Sequence, residues 1–268
     1  NTHNAFANIY EGRYLAGVVA GMKLQEMIDN GEITADEAVI GYVGAFSFAE
    51  VISGFTAYYL GAKSVCPSVT MKVQFVGSWS DATAEANAAQ ALCDQGCVMI
   101  SQHSDNTTPA TVAQTNGVFH TGYNNDMTGI APEASLIGTR IDWSVYFEYA
   151  IEAVANGEEF DQDWCHGMDE GAVVMTALNE DIAAAGTAEK LSEVQAALSS
   201  GELQVFDTST FTVDGQELTT CLALDTDGDY VADSEEAVFD GAFHESLFQS
   251  APYFAVRIDG IQWLNEAY

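Results

Sequence analysis

The sequence predicts an α/β fold built around a mostly parallel sheet. Over residues 38–156, short apolar segments alternate with longer segments in which apolar side chains recur every three or four positions. Strands that alternate with helices form βαβ units, whose right-handed crossovers place helices on both faces of one sheet. The chain has 268 residues and 48% hydrophobic content, which suffices for one large domain or for two smaller lobes.

Strand and helix segments follow one another in order through this region. The strands are short, apolar and bounded by glycine or polar residues, and they are predicted at 38–43, 71–76, 97–101, 118–122 and 135–141. The helices have apolar side chains at helical spacing and are predicted at 48–60, 81–94, 109–116 and 145–156. Gly61 should end the first of these helices, and Asp81 should cap the start of the second. An earlier helix, at 10–30, must pack on the sheet.

The pattern is less regular in the last part of the chain. The segments that retain it are predicted as strands at 171–177 and 204–213 and as helices at 188–199 and 251–267. An Asp-Gly turn at 214–215 should end the second of these strands.

The charge balance is strongly acidic, with 40 acidic residues against 7 basic ones and a formal net charge of −33. Such a surface repels nucleic acid and anionic lipid headgroups, so nucleic-acid binding is excluded. A phosphorylated ligand would need basic partners that the candidate loops lack. A neutral or cationic ligand fits better, although the acidity can also serve solubility alone. No apolar run reaches the roughly 18 residues that indicate a transmembrane helix.

The five cysteines are an odd number without a zinc-type C-x-x-C pair, and we interpret them mostly as small apolar residues. Cys93 and Cys97 are close enough in sequence to raise the question of a disulfide. The chain begins at Asn1 with neither an initiator methionine nor a signal peptide, so we expect a processed or trimmed product.

Loops at the carboxyl ends of the predicted strands form the candidate ligand site, because ligands of parallel α/β sheets bind at this edge. These loops combine aromatic side chains with Asn, Asp, Ser or His. An aromatic face stacks on a flat, neutral heterocycle, while amides and carboxylates bind the edge of its ring. The candidate ligand-binding residues are Phe46, Phe48, Trp79, Asp81, His103, Asp105, Asn124, Asp126 and Trp143. Each also has a structural interpretation, as a core, capping or turn residue.

A catalytic interpretation has less support. Ser101, His103, Ser104 and Asp105 are neighbours, but adjacent residues at a strand end point in different directions and do not form a triad. The sequence contains no G-x-S-x-G, H-E-x-x-H or P-loop motif. It therefore favours binding over catalysis.

An acidic segment near the C-terminus has the spacing of an oxygen-rich calcium loop. Counted from Asp225, carboxylates stand at positions 1, 3, 5, 9 and 12, and a backbone carbonyl is available at position 7. The predicted ligands of a structural Ca²⁺ are Asp225, Asp227, Asp229, Val231, Asp233 and Glu236. The glycine at position 4 rather than 6 departs from the EF-hand and is closer to the DxDGDxxxD loops of extracellular calcium-binding repeats. The alternative is an acidic surface turn.

Four segments carry a specific set of motifs, of which GSWSD, QHSDN and GYNNDM are the most distinctive. The segments are EGRYLAGVVAG at 11–21, GYVGAFSFAEVISGFTAYYLGAK at 41–63, VGSWSDATAEANAAQALCDQGCVMISQHSDN at 76–106 and GVFHTGYNNDM at 117–127. Together they resemble the basic membrane protein (BMP) family, lipoproteins that serve ABC importers and bind purine nucleosides or bases. The resemblance extends through 132–157 and, more loosely, through 167–206.

The resemblance implies a type I periplasmic-binding-protein fold, in which hinge strands join two Rossmann-like α/β lobes with parallel sheets. Family members carry a further segment before residue 11, so the N-terminal part of one lobe is missing here. We expect residues 1–118 to form one complete lobe and 119–268 to form part of the other, with the hinge crossings and a C-terminal extension. The missing segment is either removed or a separate polypeptide.

The resemblance also implies the function: an extracytoplasmic solute-binding protein, lipid-anchored in its precursor, that delivers a purine base or nucleoside to an ABC permease. It implies that six of the candidates lie at or near the cleft between the lobes: Trp79, His103, Asp105, Asn124, Asp126 and Trp143. It places Phe46 and Phe48 on the side of the second lobe. The QHSDN motif and Trp143 are most similar to members that bind a free base such as adenine. We expect a monomer without an organic cofactor. The alternatives are a surface sensor of the same fold, a structural or adhesive role and, less favoured, an enzyme.

Overall fold

A computed structural model describes residues 2–229 and 231–268 of the chain. Its helices are α1 (Ile9–Asp29), α2 (Ala49–Val65), α3 (Ala82–Asp94), α4 (Thr108–Thr115), α5 (Ser144–Asn156) and α6 (Thr187–Ser199). Its strands are β1 (Asn4–Ala7), β2 (Val39–Gly44), β3 (Thr70–Phe75), β4 (Met99–His103), β5 (Phe119–Tyr123), β6 (Ser135–Ile141), β7 (Asp163–His166), β8 (Val173–Met175), β9 (Val238–Phe239), β10 (Ala242–Phe243) and β11 (Ile261–Trp263). From β2 to α5, each element overlaps the segment predicted for it.

Seven strands form one sheet in the order β11-β3-β2-β4-β5-β6-β8. Its neighbouring strands pair in parallel except β6 and β8, which are antiparallel. Successive side chains of β2 enter different cores: Tyr42 lies in the larger core with α1 and α2, and Val43 lies in the smaller core with α3 and α4. Helices therefore cover both faces of the sheet, which confirms the predicted α/β architecture.

Helices α1 and α2 approach closely enough that only glycine fits at their crossing. A Cβ atom on Gly17 would lie 2.0 Å from the carbonyl oxygen of Tyr58, and one on Gly61 would lie 2.0 Å from that of Tyr14. The prediction that Gly61 ends the helix is wrong, because α2 continues to Val65. Gly61 is needed for the contact between helices and not for a helix end.

The predicted division of the chain after residue 118 falls inside the large sheet. Strands β4 and β5 pair in parallel across it, with Met99 opposite Phe119, and β6 continues the same sheet. Residues 119–141 therefore extend the sheet that β2 to β4 begin, and the division of the chain into two lobes stays a prediction. A separate two-stranded sheet, in which β1 pairs in parallel with β7, lies outside this unit.

The C-terminal region differs most from its prediction. Residues 204–213 are irregular instead of forming a strand, and 251–267 contain the short strand β11 instead of a helix. Gly260, whose φ is +92°, interrupts any helix in this segment. Strand β11 pairs in parallel with β3, and Trp263 packs its ring 5.2 Å from that of Phe75. Packing against the sheet edge thus overrides the local helical spacing.

Two smaller sequence expectations concern the cysteines and the membrane. All five cysteines are free thiols, so Cys93 and Cys97 do not form a disulfide. Among the described residues, no helix has both the length and the apolar character that a membrane crossing requires.

Candidate ligand-binding site

The loops that carry the predicted site residues meet at one edge of the large sheet. Strands β2 to β6 run parallel, so the loops that follow them all leave from the same side. Gly44, the last residue of β2, stands between Phe75 of β3 and His103 of β4. The fold therefore brings together segments that are far apart in sequence.

An aromatic cluster forms the centre of this edge. The rings of Phe46 and Phe48 stack with centroids 4.9 Å apart and an interplanar angle of 12°. The ring of Phe46 lies 5.8 Å from that of Trp79, which lies 6.4 Å from the imidazole of His103. Phe48 is 45% exposed and Trp79 is half-buried, so aromatic surface remains accessible at the site. Four of the predicted residues thus form one group, in which the accessible rings of Phe48 and Trp79 can stack on a flat ring.

The imidazole of His103 is completely buried beneath this cluster. Its Nδ1 lies 3.4 Å from the Tyr42 hydroxyl, and its Nε2 lies 3.7 Å from a carboxylate oxygen of Glu50. The ring fits against α2 because residue 54 is a glycine. A Cβ at this position would lie 2.4 Å from Nδ1. Burial lowers the pKa of His103, and the nearby Arg13 adds to this shift, whereas Glu50 opposes it. A neutral imidazole offers one donor and one acceptor.

Two polar residues join the loops that follow β4 and β5. The Asp105 backbone N–H donates to the carbonyl oxygen of Trp79 at 2.7 Å, and its carboxylate accepts from the side-chain amide of Asn124 at 3.3 Å. Asn124 adopts a left-handed backbone conformation with φ of 59°, which asparagine tolerates better than most residues. Asp105 and Asn124 therefore lie side by side at the rim.

The remaining predicted residues have local roles in the structure. Asp81 accepts from the backbone N–H groups of Thr83 and Ala84 at 3.0 and 2.9 Å, which confirms its predicted role as the cap of α3. The exposed carboxylate of Asp126 accepts from the backbone and hydroxyl of Thr128 and closes a turn. Trp143 is 37% exposed at the start of α5, and no ring contact among the described residues joins it to the aromatic cluster. Ligand contact by these residues stays a prediction.

Two charged residues at the site were missed in the sequence. Glu50 resembles the acidic residues that commonly stand in the first turn of a helix, and Arg13 is followed by a mainly apolar run in the first half of α1. Arg13 is fully buried, and its guanidinium contacts β2, β4 and β5. The one available signal was this arginine among apolar neighbours, because a buried cation requires specific partners.

The acidic segment at the C-terminus brings together some of its predicted metal ligands. Carboxylate oxygens of Asp225, Asp227 and Asp229 lie within 4.8 Å of one another, and all three residues are exposed. Asp233 instead accepts from the backbone and hydroxyl of Thr226. Glu236 accepts from the backbone N–H groups of residues 221 and 238, and Val231 is 64% exposed. The structure therefore groups three of the five predicted carboxylates.

Comparison with known proteins identifies the family. Residues 1–208 match the model of the Bmp family, described as ABC transporter substrate-binding protein PnrA-like. A purine-binding protein of Brucella abortus (strain 2308) is 35% identical over 215 residues, which are 79% of this chain and 57% of that protein. A putative ABC transporter glucose-binding protein of Haloferax volcanii is 35% identical over 176 residues, 65% of this chain and 42% of that protein. The chain thus spans about half the length of these relatives.

Solved structures show the same fold at low sequence identity. A solute-binding protein of an ABC transporter system from Aeropyrum pernix K1 superposes with a TM-score of 0.61 at 16% identity, covering 75% of this chain and 65% of that one. A counterpart from Conexibacter woesei DSM 14684 gives 0.54 at 18% identity, covering 76% and 65%. The fold is that of type I periplasmic binding proteins, as predicted. Because the family model matches well over half of its residues, the chain belongs to the Bmp family of PnrA-like ABC transporter substrate-binding proteins.

Proposed function

We propose that this chain is part of an extracytoplasmic solute-binding protein that binds a purine base or nucleoside and delivers it to an ABC permease. The observation that carries the proposal is the group formed by Phe46, Phe48 and Trp79 above the neutral imidazole of His103. Stacking a base on an aromatic side chain contributes about 1–3 kcal/mol, and polar groups at the ring edge add specificity. The Bmp family consists of solute-binding proteins and not of enzymes, in keeping with a binding site.

The charges around the site favour an uncharged ligand. Glu50, Asp105 and Asp126 contribute carboxylates to this edge, whereas the nearby Arg13 is fully buried. A phosphate would meet carboxylates here and would need basic partners to bind. We therefore expect bases and nucleosides to bind and nucleoside monophosphates to be rejected.

The two curated relatives point to different ligands. The Brucella abortus protein is named for purine binding, and the Haloferax volcanii protein for glucose binding. Sugars also stack on aromatic faces and bind carboxylates through their hydroxyls, so a hexose is the second candidate. The buried imidazole of His103 favours the purine, because a nitrogen heterocycle presents hydrogen-bond donors and acceptors along one edge in a fixed plane.

Several further features of the proposal follow from this role. The protein acts outside the cytoplasm as a monomer held by a lipid anchor, and closure of two lobes around the ligand produces the form that the permease recognises. A surface sensor of the same fold is the alternative, distinguished by whether a permease or a signalling protein binds the closed form. We also propose that the Asp225–Asp227–Asp229 group holds a structural Ca²⁺, supported by the proximity of its carboxylates.

Calorimetric titration tests the proposed ligand on the protein as encoded, including any residues that flank these 268. Adenine, adenosine, AMP and glucose are titrated separately after removal of bound ligand by denaturation and refolding. We expect adenine or adenosine to bind at micromolar concentration or below and AMP to bind far more weakly. Tight binding of glucose without binding of any purine would replace the purine assignment by the sugar. Tight binding of AMP would contradict the electrostatic argument.

A further inference from the structure

A chain of hydrogen bonds leads from α1 through the sheet to the candidate site, and it begins at Arg13. Nη1 of Arg13 donates to the carbonyl oxygen of Gly122 at 3.0 Å, and Nη2 donates to the hydroxyls of Tyr42 and Ser101 at 2.9 and 2.8 Å. Among the described residues, no carboxylate forms an ion pair with this guanidinium. The faces of three tyrosine rings lie 5.2–5.6 Å from its central carbon and help to stabilise the charge.

The direction of this chain determines where the proton of His103 lies. A guanidinium has only donors, so the Tyr42 hydroxyl accepts from Arg13 and keeps its own hydrogen to donate. The acceptor near it is Nδ1 of His103, at 3.4 Å. Since a neutral imidazole carries one proton, that proton is on Nε2.

The Nε2–H group makes no hydrogen bond of ordinary length, and the Glu50 carboxylate is its nearest partner. It is fully buried, and no group among the described residues lies within hydrogen-bond distance of it. Glu50 is the closest carboxylate, with Oε1 at 3.7 Å, and its side chain is 25% exposed in the first turn of α2. A buried polar group left unpaired costs about 1–3 kcal/mol, so a ligand that accepts from Nε2–H gains by satisfying it.

We propose that Glu50 is a specificity-determining residue that, together with the Nε2–H of His103, binds adjacent donor and acceptor groups on one edge of the ligand. The Glu50 carboxylate accepts from a ligand N–H, and Nε2–H donates to the neighbouring ring nitrogen. An amino group next to a ring nitrogen, as in a 6-aminopurine, has this arrangement. The inference rests on the proposed function and deepens it. Arg13 and Tyr42 act as positioning residues, because they reach the ligand only through His103.

A cycle of two ligands and two proteins tests the role of Glu50. Adenine is compared with unsubstituted purine, which lacks the amino donor, on the wild type and on Glu50→Ala. We expect the wild type to prefer adenine by about 10- to 100-fold, as for a hydrogen bond to a charged group, and Glu50→Ala to lose most of this preference. Glu50→Gln, which keeps an acceptor oxygen, should recover part of it. Glu133→Ala is the matched control, because this exposed residue precedes β6 and so lies at the opposite edge of the sheet.

The outcomes separate the inference from the proposed function. If the wild type binds none of the purines, the proposed function fails. If the wild type binds adenine and Glu50→Ala keeps the same preference over purine, the role of Glu50 is refuted while the function stands. Nitrogen-15 NMR of the ligand-free protein provides a second measurement, independent of any variant. We expect His103 to give the shifts of the Nε2–H tautomer, and the Nδ1–H tautomer would overturn the proposed hydrogen-bond direction.

Discussion

The contact between α1 and α2 makes a strong prediction about Gly61, which we expect to tolerate no side chain. A Cβ at this position would lie 2.0 Å from the Tyr14 carbonyl oxygen and 3.1 Å from the Val18 backbone nitrogen. Both are backbone atoms of a helix, so a rotamer change cannot relieve the clash, and the helices must separate by about 1 Å to restore an ordinary contact. Overpacking of this kind costs about 1–3 kcal/mol, against about 1 kcal/mol gained from the higher helix propensity of alanine.

Because the strain involves two whole helices, we place its cost at the upper end of this range, about 3 kcal/mol, and expect Gly61→Ala to lower the free energy of unfolding by about 2 kcal/mol. For a chain of this size that corresponds to a fall of about 4–8 °C in Tm. Urea unfolding followed by circular dichroism measures the difference, with Gly129→Ala as the control. Gly129 has no other heavy atom within 4 Å of its would-be Cβ. If Gly61→Ala is as stable as the wild type, the helices are not in the contact described and the explanation for the glycine is wrong.

Three further predictions concern the site, the pH dependence and the metal. Gly54→Ala places a Cβ 2.4 Å from Nδ1 of His103, so adenine affinity should fall at least tenfold; unchanged affinity would remove His103 from the site. Burial raises the pKa of Glu245 to about 8, so its native state holds a proton that the unfolded chain loses at lower pH. The stability that this proton contributes is present below pH 4.5 and is lost as the pH rises towards 8. The free energy of unfolding, measured in 1 M salt, should fall with rising pH more steeply in the wild type than in Glu245→Gln. Equal slopes in the two proteins would contradict the raised pKa of Glu245. Millimolar Ca²⁺ should raise the Tm of the wild type more than that of Asp227→Asn, with exposed Asp240→Asn as control, and an equal rise would exclude the predicted loop.

The sequence was most informative where local pattern and tertiary structure agree. Strand β2 is buried on both faces, so a continuous apolar run marks it clearly. The carboxyl ends of parallel strands meet at one edge, which is why His103 and Trp79 could be placed together without knowledge of their contacts. The predicted end of α2 was wrong because a glycine in the sequence is equally typical of a helix end and of a close crossing of two helices, as at Gly61. Only the partner helix distinguishes the two.

The C-terminal region could not be predicted for a related reason. Its apolar residues recur at helical spacing between 251 and 267, but Trp263 finds its partners on β3, which is almost 200 positions earlier in the chain. The side chain of Asn265 also donates to and accepts from the backbone of Phe75 at 2.8 Å and so extends the edge pairing. Contacts over such a separation leave no periodic signal in either segment.

Burial explains how an acidic site can present a neutral imidazole, and the nearby Arg13 makes a smaller contribution. Glu50, 3.7 Å away, raises the pKa of His103, while desolvation and Arg13 lower it. A protonated imidazole would instead pair with Glu50, and each group would then satisfy the other. Because burial keeps the imidazole neutral, its Nε2 faces the Glu50 carboxylate at 3.7 Å without forming that charged pair. One of the seven basic residues of a highly acidic chain thus lies in the core, where its charge adds to the lowering of the His103 pKa by burial instead of binding an anion.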